Sequence, residues 1–338
     1  MNHRAFICGV QGLTLNATEI AFLQELAPAG VILFRRNCDA PEQVLRLTDS
    51  LRSLFDYADY PIFIDQEGGR VQRLVAPHWV KRPPARAYCD ACGDATDKAL
   101  EAAYWGARLI AHDLRAVGVN VNCAPVLDIP APDAHDIIGD RAYGDDAATV
   151  AAFGRSVAQG HLDGGVLPVI KHIPGHGRAN ADSHLDLPVI YASFAELETV
   201  DFRPFHDLRD MPIAMTAHVL LTDIDAQTPA SASPRIIDGI IRNHIGFDGL
   251  LMCDDVSMHA LTGGIGERTR AVLRAGCDVA LHCNGHFDEM IEVAREAPQL
   301  AGDALRRYKA AIARLSPPPE FDVERAEALV RETLADYA

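Results

Sequence analysis

The segment Gly165-Val-Leu-Pro-Val-Ile-Lys-His-Ile-Pro-Gly-His-Gly-Arg-Ala-Asn-Ala-Asp-Ser-His184 runs from an apolar stretch straight into a cluster of titratable residues. Gly165 to Ile170 shows no polar alternation, so it suits a strand buried on both faces, as in a parallel sheet. Lys171, His172, His176, Asp182 and His184 then crowd behind the end of that strand. Loops at strand ends are where α/β scaffolds carry their chemistry.

Seven further runs have the same character: Ala5–Val10, Gly30–Phe34, Tyr60–Asp65, Val119–Val126, Pro212–Thr216, Gly249–Cys253 and Asp278–His282. Between them the sequence has helix grammar. Asn16-Ala-Thr-Glu19 has the form of a capping box. Val44, Leu47, Leu51 and Leu54 fall on one helical stripe behind Pro41. An alanine-rich helix is expected from Asp97 to Val117, ended by Gly118. Others are expected at Ala147–Leu162, from Ser193, from Ser233-Pro234, at Gly266–Ala275 and at Phe287–Ala297. Eight strand and helix alternations predict a TIM-type (β/α)8 barrel, an α/β fold in one domain over 1–338. A further surface helix is expected from about 320, beyond Pro317-Pro-Pro319. The competing topology is a doubly wound open sheet.

The chain has 338 residues, 49% of them hydrophobic, with a formal net charge of −16. Such an acidic surface argues against nucleic acid and anionic membranes as partners. No signal peptide or membrane-length apolar run is apparent, and the eight cysteines are scattered. Cys8, Cys123, Cys253 and Cys277 sit in strand-like runs as small buried hydrophobes. Cys89-Asp-Ala-Cys92 is a single pair with no second half for a metal site. A cytoplasmic protein is the expectation.

Polar clusters follow five of the predicted strands. They are Asp65-Gln-Glu-Gly-Gly-Arg-Val-Gln-Arg73, Asp128 with Gly139-Asp-Arg141, Lys171 to His184, His218, and Cys253-Asp-Asp-Val-Ser-Met258. A barrel brings such ends to one face. A metal site on His172, His176, Asp182 and His184 is conceivable, but these ligands crowd one loop among cations. Gly68-Gly69 and Gly175-His-Gly177 match no P-loop or dinucleotide fingerprint. Glycoside cleavage needs a carboxylate on one face of the sugar and a proton donor on the other. Asp254 offers the first, and a loop histidine paired with an aspartate offers the second.

Taken together and in order, the motifs at 65–73, 171–177, 182–184 and 253–258 resemble glycoside hydrolase family 3, in its single-domain bacterial β-N-acetylhexosaminidase form. Gly30-Val-Ile-Leu-Phe-Arg-Arg-Asn37 and Ile137-Ile-Gly-Asp-Arg141 resemble it as well. The resemblance implies a cofactor-free enzyme that removes terminal N-acetylglucosamine from 1,6-anhydro-muramyl peptides with retention of configuration. It implies Asp254 as the nucleophile, His184 as the general acid/base and Asp182 as its partner. It implies Asp65, Arg73, Arg141, Lys171 and His172 as the groups that hold the sugar, and no metal. Cys253, Ile173 and the Pro130–His135 stretch depart from the usual pattern without touching these groups.

These assignments are physically coherent. His184 must start protonated to serve a leaving oxygen, and a close Asp182 favours the imidazolium. Gly175 and Gly177 suggest a loop able to fold over substrate. Asp255 is expected to be a structural hydrogen-bond partner, His218 a pocket wall or core histidine, and His176 a brace. Glu67 either is the catalytic carboxylate it resembles or serves as a helix-capping or salt-bridged group in a Gly-rich turn, and Asp128 is expected to fix an arginine. The nearest rival function is a phosphorylase, since a histidine acid/base would not repel phosphate. A metal-dependent barrel hydrolase and a non-catalytic sugar-binding protein are the rivals from other classes.

Overall fold

All eight predicted strands form, and they close on one another. In a computed structural model the chain is described over residues 3–91, 96–132, 134–179 and 187–335. Cys92, Asp182 and His184 lie outside the described residues. The strands are β1 (Arg4–Gly9), β2 (Pro28–Leu33), β3 (Ile62–Ile64), β4 (Val121–Asn122), β5 (Leu167–Ile173), β6 (Val189–Ile190), β7 (Ile213–Thr216), β8 (Leu220–Leu221), β9 (Leu250–Asp255) and β10 (Val279–His282). The barrel runs β1-β10-β9-β7-β5-β4-β3-β2, and every pairing is parallel. Closure is made where Phe6 pairs with Ala280 and Cys8 with His282. The fold is therefore a (β/α)8 barrel, not an open sheet. The short β6 and β8 pair outside it and were not anticipated; two-residue strands carry no periodic signal.

The barrel closes because its strands are apolar on both faces. Phe6, Leu33, Ile170 and Leu251 have no solvent exposure. Each buried side chain of this kind contributes about 1.5–3 kcal/mol. Outer helices cover the barrel at Ala17–Leu26, Pro41–Phe55, Asp97–Ala116, Ala147–Asp163, Ile265–Ala275 and Phe287–Glu296. The first starts with the expected capping box: Asn16 Oδ1 accepts the Glu19 N–H at 2.9 Å, and Glu19 Oε2 accepts the Asn16 N–H at 3.0 Å. The long alanine-rich helix stops before Gly118, whose φ of +77° suits glycine.

Sequence reasoning missed the helix Gly302–Ile312, which begins at Ala301 with no side-chain cap and so leaves no start signal. The C-terminal helix Val323–Thr333 packs Ala326 and Val330 against Ala99, Ala103 and Ala107 of the long helix. Arg82 ties the two together, 2.7 Å from Asp113 and 3.3 Å from Glu327. Cys8, Cys123, Cys253 and Cys277 are buried, as their apolar surroundings suggest. Among the described residues, no helix is long and apolar enough to cross a membrane, and no histidine, cysteine and carboxylate group could hold a metal ion.

Candidate active site

The ends of the strands surround a pocket of about 360 Å³. Asp65, Arg73, Arg141, Lys171, His172 and Asp254 all line it. They come from four separate strand ends, and the closure of the barrel is what brings them together. Lys171 and His172 are adjacent, joined by a cis peptide, and both reach the pocket.

Its floor is a lattice of opposite charges. Lys171 Nζ lies 2.9 Å from Asp65 and 2.7 Å from Glu67. Arg141 grips Glu67 through two hydrogen bonds of 2.8 Å. Arg73 reaches Asp65 at 3.1 Å, and its guanidinium lies 5.0 Å from the Phe34 ring centroid. Burial opposes charge on Asp65, Glu67, Lys171 and Arg141, and their partners overcome it. Lys171 and Arg73 hold Asp65 below the usual carboxylate range. Arg141 and Lys171 bring Glu67 down to about 2. Lys171 and Arg141 are raised in turn by their carboxylates. The pocket thus keeps fixed charges that a polar, hydroxyl-rich ligand can bind without reorganising them. Glu67 is the salt-bridged group among the readings the sequence left open.

Asp254 stands at the end of β9, 8% exposed, with its Oδ1 accepting the Asp255 N–H at 2.8 Å. Burial disfavours its charge, but His172, His218, the Asp255 N–H and Lys171 hold its pKa below the ordinary value. It is therefore an ionised carboxylate aligned with a cavity. Asp255 is engaged elsewhere: its oxygens accept from Ser257 N–H at 3.0 Å, Ser257 Oγ–H at 2.6 Å and Cys283 N–H at 3.1 Å. His218 is a satisfied core histidine, bonded to Ser231 Oγ at 2.6 Å and to the Asp255 carbonyl at 3.0 Å.

One expectation needs correction. Asp128 fixes a histidine rather than an arginine, because His172 Nδ1 lies 2.6 Å from its Oδ2. Its Oδ1 also accepts the His176 N–H at 2.7 Å. Arg141, which lines the same pocket, is held by Glu67 instead. The glycines of the loop serve close packing as well as freedom. A Cβ on Gly177 would fall 1.9 Å from the Ile129 carbonyl oxygen, and Gly175 has a φ of +137°. The Gly177 and Ala179 carbonyls accept from Ala131 and His135 at 3.0 and 2.8 Å. Arg178 reaches Asp201 at 2.7 Å. Residues 174–179 are thus a stapled stem leading to Asp182 and His184.

Phe34, Arg70, Met215, Met258 and Cys283 also line the pocket and were not singled out as site residues. Phe34 and Cys283 each stand one residue past a barrel strand, so the strand-end rule extended to apolar residues would have found them. His176 is buried, its Nδ1 without a partner among the described residues. Burial, then the neighbouring His172, lowers its pKa to about 4, so it is neutral near pH 7.

Known proteins share this architecture and much of the sequence. A β-hexosaminidase from Methylococcus capsulatus is 42% identical over 277 residues, covering 81% of this chain and 80% of its own. NagZ from Neisseria gonorrhoeae, solved in complex with N-trifluoroacetyl-D-glucosamine, matches with a TM-score of 0.88 and 30% identity over 99% of both chains. A family 3 β-N-acetylglucosaminidase from Paenibacillus sp. str. FPU-7 matches with a TM-score of 0.87 and 30% identity, over 97% of this chain and 66% of that longer one. The glycosyl hydrolase family 3 N terminal domain model matches residues 8–314, nearly the whole barrel, and the chain belongs to that family of glycoside hydrolases.

Proposed function

We propose that this chain is a retaining exo-β-N-acetylglucosaminidase that removes terminal N-acetylglucosamine from 1,6-anhydro-muramyl peptides in the cytoplasm, as a step of peptidoglycan recycling. The observation that carries the proposal is the ionised Asp254 carboxylate at a pocket whose lysine and arginine charges are already paired with carboxylates. An enclosed anion beside a neutral, hydroxyl-lined substrate suits attack on an anomeric carbon that develops positive charge. The names of the relatives support the choice of sugar, and the family supports the reaction class.

In the proposed reaction, Asp65, Arg73, Arg141, Lys171 and His172 hold the sugar by its polar groups. An Asp254 oxygen bonds to the anomeric carbon as the glycosidic bond breaks, and protonated His184 gives its proton to the departing oxygen. The product of this half is a covalent glycosyl-enzyme. Neutral His184 then takes a proton from water, whose oxygen attacks the same carbon and releases Asp254. Two inversions give net retention. Asp182 favours the imidazolium that the first half requires. No step needs a cofactor, a metal, nucleic acid or a membrane.

The test is release of a chromophore from an aryl β-N-acetylglucosaminide. The full chain should release it, and Asp254→Asn should lose the activity. Absence of release by the unaltered chain, or full activity in the variant, contradicts the proposal. Assaying in phosphate buffer for sugar 1-phosphate against free sugar separates hydrolysis from phosphorolysis, with free sugar expected.

A further inference from the structure

Asp128 sits beyond β4 with no solvent exposure, at the junction of two pocket loops. Among the described residues its carboxylate makes three contacts, all to the start of the Lys171–His184 segment. Oδ2 lies 2.6 Å from His172 Nδ1, and Oδ1 accepts the His172 N–H at 3.2 Å and the His176 N–H at 2.7 Å. Burial opposes its charge, but His172, His176 and these N–H groups keep its pKa below the ordinary value. An ionised carboxylate only accepts hydrogen bonds. At 2.6 Å it therefore requires the proton of His172 to sit on Nδ1. Nε2 is left as the free ring nitrogen, with no hydrogen-bond partner among the described residues, on a side chain that lines the pocket.

We propose that Asp128 is a positioning residue that fixes the His172 ring with its proton on Nδ1, so that Nε2 meets a sugar hydroxyl in one defined state. The proposal rests on the reading above that His172 holds the sugar. The same carboxylate anchors the backbone of the stem that leads to His184. Its two roles are separable by chemistry. An asparagine at 128 keeps an oxygen that accepts both backbone N–H groups, so the anchor survives. Its amide nitrogen faces Nδ1 and can only donate, which drives the ring proton to Nε2. Asp128→Asn thus reverses the ring without cutting the loop free.

Nitrogen NMR of the full chain labelled with 15N-histidine reads the tautomer directly, with the His172 signals assigned by their loss in His172→Gln. The unaltered chain should carry the His172 proton on Nδ1, and Asp128→Asn should carry it on Nε2. In the chromogenic assay, Asp128→Asn should lose at least about tenfold in kcat/KM, the scale seen when a group that orients a ligand is removed. In the His172→Gln background the same change should alter kcat/KM by less than about threefold, since interacting sites are non-additive. A bare Nδ1 on His172 in the unaltered chain overturns the proposal. So does wild-type kcat/KM in Asp128→Asn, or an equal loss in the His172→Gln background. If Asp128→Asn does not fold, the nitrogen spectrum of the unaltered chain decides alone. If the unaltered chain cleaves no N-acetylglucosaminide, the functional reading fails while that spectrum still tests Asp128.

Discussion

At the scale of residues, the pocket is defined by how buried charges neutralise one another. Asp65, Glu67, Lys171, Arg73 and Arg141 form one connected set, and each member lowers the desolvation cost of the next. Glu67 has the largest consequence outside the proposed sugar contacts. In Glu67→Gln, Arg141 and Lys171 lose a shared anion, and KM for an N-acetylglucosaminide should rise at least about tenfold, as when one partner of a buried pair is removed. Its titration predicts a stability signature as well. Glu67 is brought down to about 2 from its ordinary value of 4.5, so the unfolded chain takes up its proton first as pH falls. The stabilisation is complete above pH 4.5 and is lost as pH falls toward 2. Urea unfolding between pH 5 and pH 3 should therefore show a shallower loss of stability in Glu67→Gln than in the unaltered chain. Much of this site was legible in sequence: Asp65, Arg73, Arg141, Lys171, His172 and Asp254 meet in one pocket. What sequence could not supply was the pairing. Asp128 was assigned an arginine because charge type is visible in a sequence, whereas its actual partner, His172, depends on which strand ends face each other.

At the scale of elements, the barrel strands were legible because burial on both faces leaves unbroken apolar runs, and a parallel barrel buries every strand that way. The helix Gly302–Ile312 was not, since Ala301 offers no capping side chain. Where caps exist they matter measurably. Asn16→Ala should destabilise the chain by about 1 kcal/mol in chemical denaturation, the usual loss for an N-cap. The stem at 174–179 is held by backbone hydrogen bonds, an ion pair and a close glycine contact. Gly177→Ala would press a Cβ against the Ile129 carbonyl, so it should cost about 2 kcal/mol or more and lower kcat by displacing the stem. Thermal unfolding and steady-state kinetics on the same preparation check both parts. Wild-type behaviour in both would mean that the stem does not govern the site.

At the scale of the whole molecule, the barrel separates stability from chemistry. The pocket lies at the ends of the strands, while the C-terminal helix Val323–Thr333 packs on the outer helix Asp97–Ala116. Removing residues 320–338 would expose the alanine face of that outer helix and break the Arg82–Glu327 pair. The truncated chain should unfold at a lower temperature while keeping KM near the wild-type value, because no described residue of the removed segment lines the pocket. The same separation explains why composition identified so little: a net charge of −16 describes the surface, whereas the pocket pairs its own charges inside the barrel. Everything at this scale converges on one bond, between Asp254 and the anomeric carbon. A fluorinated N-acetylglucosaminyl donor that forms the glycosyl-enzyme quickly and releases it slowly would trap that bond, and peptide mass spectrometry would locate it. The sugar should be found on Asp254. Its attachment to Asp255 or another carboxylate, or turnover with no covalent sugar at all, would contradict the proposed mechanism.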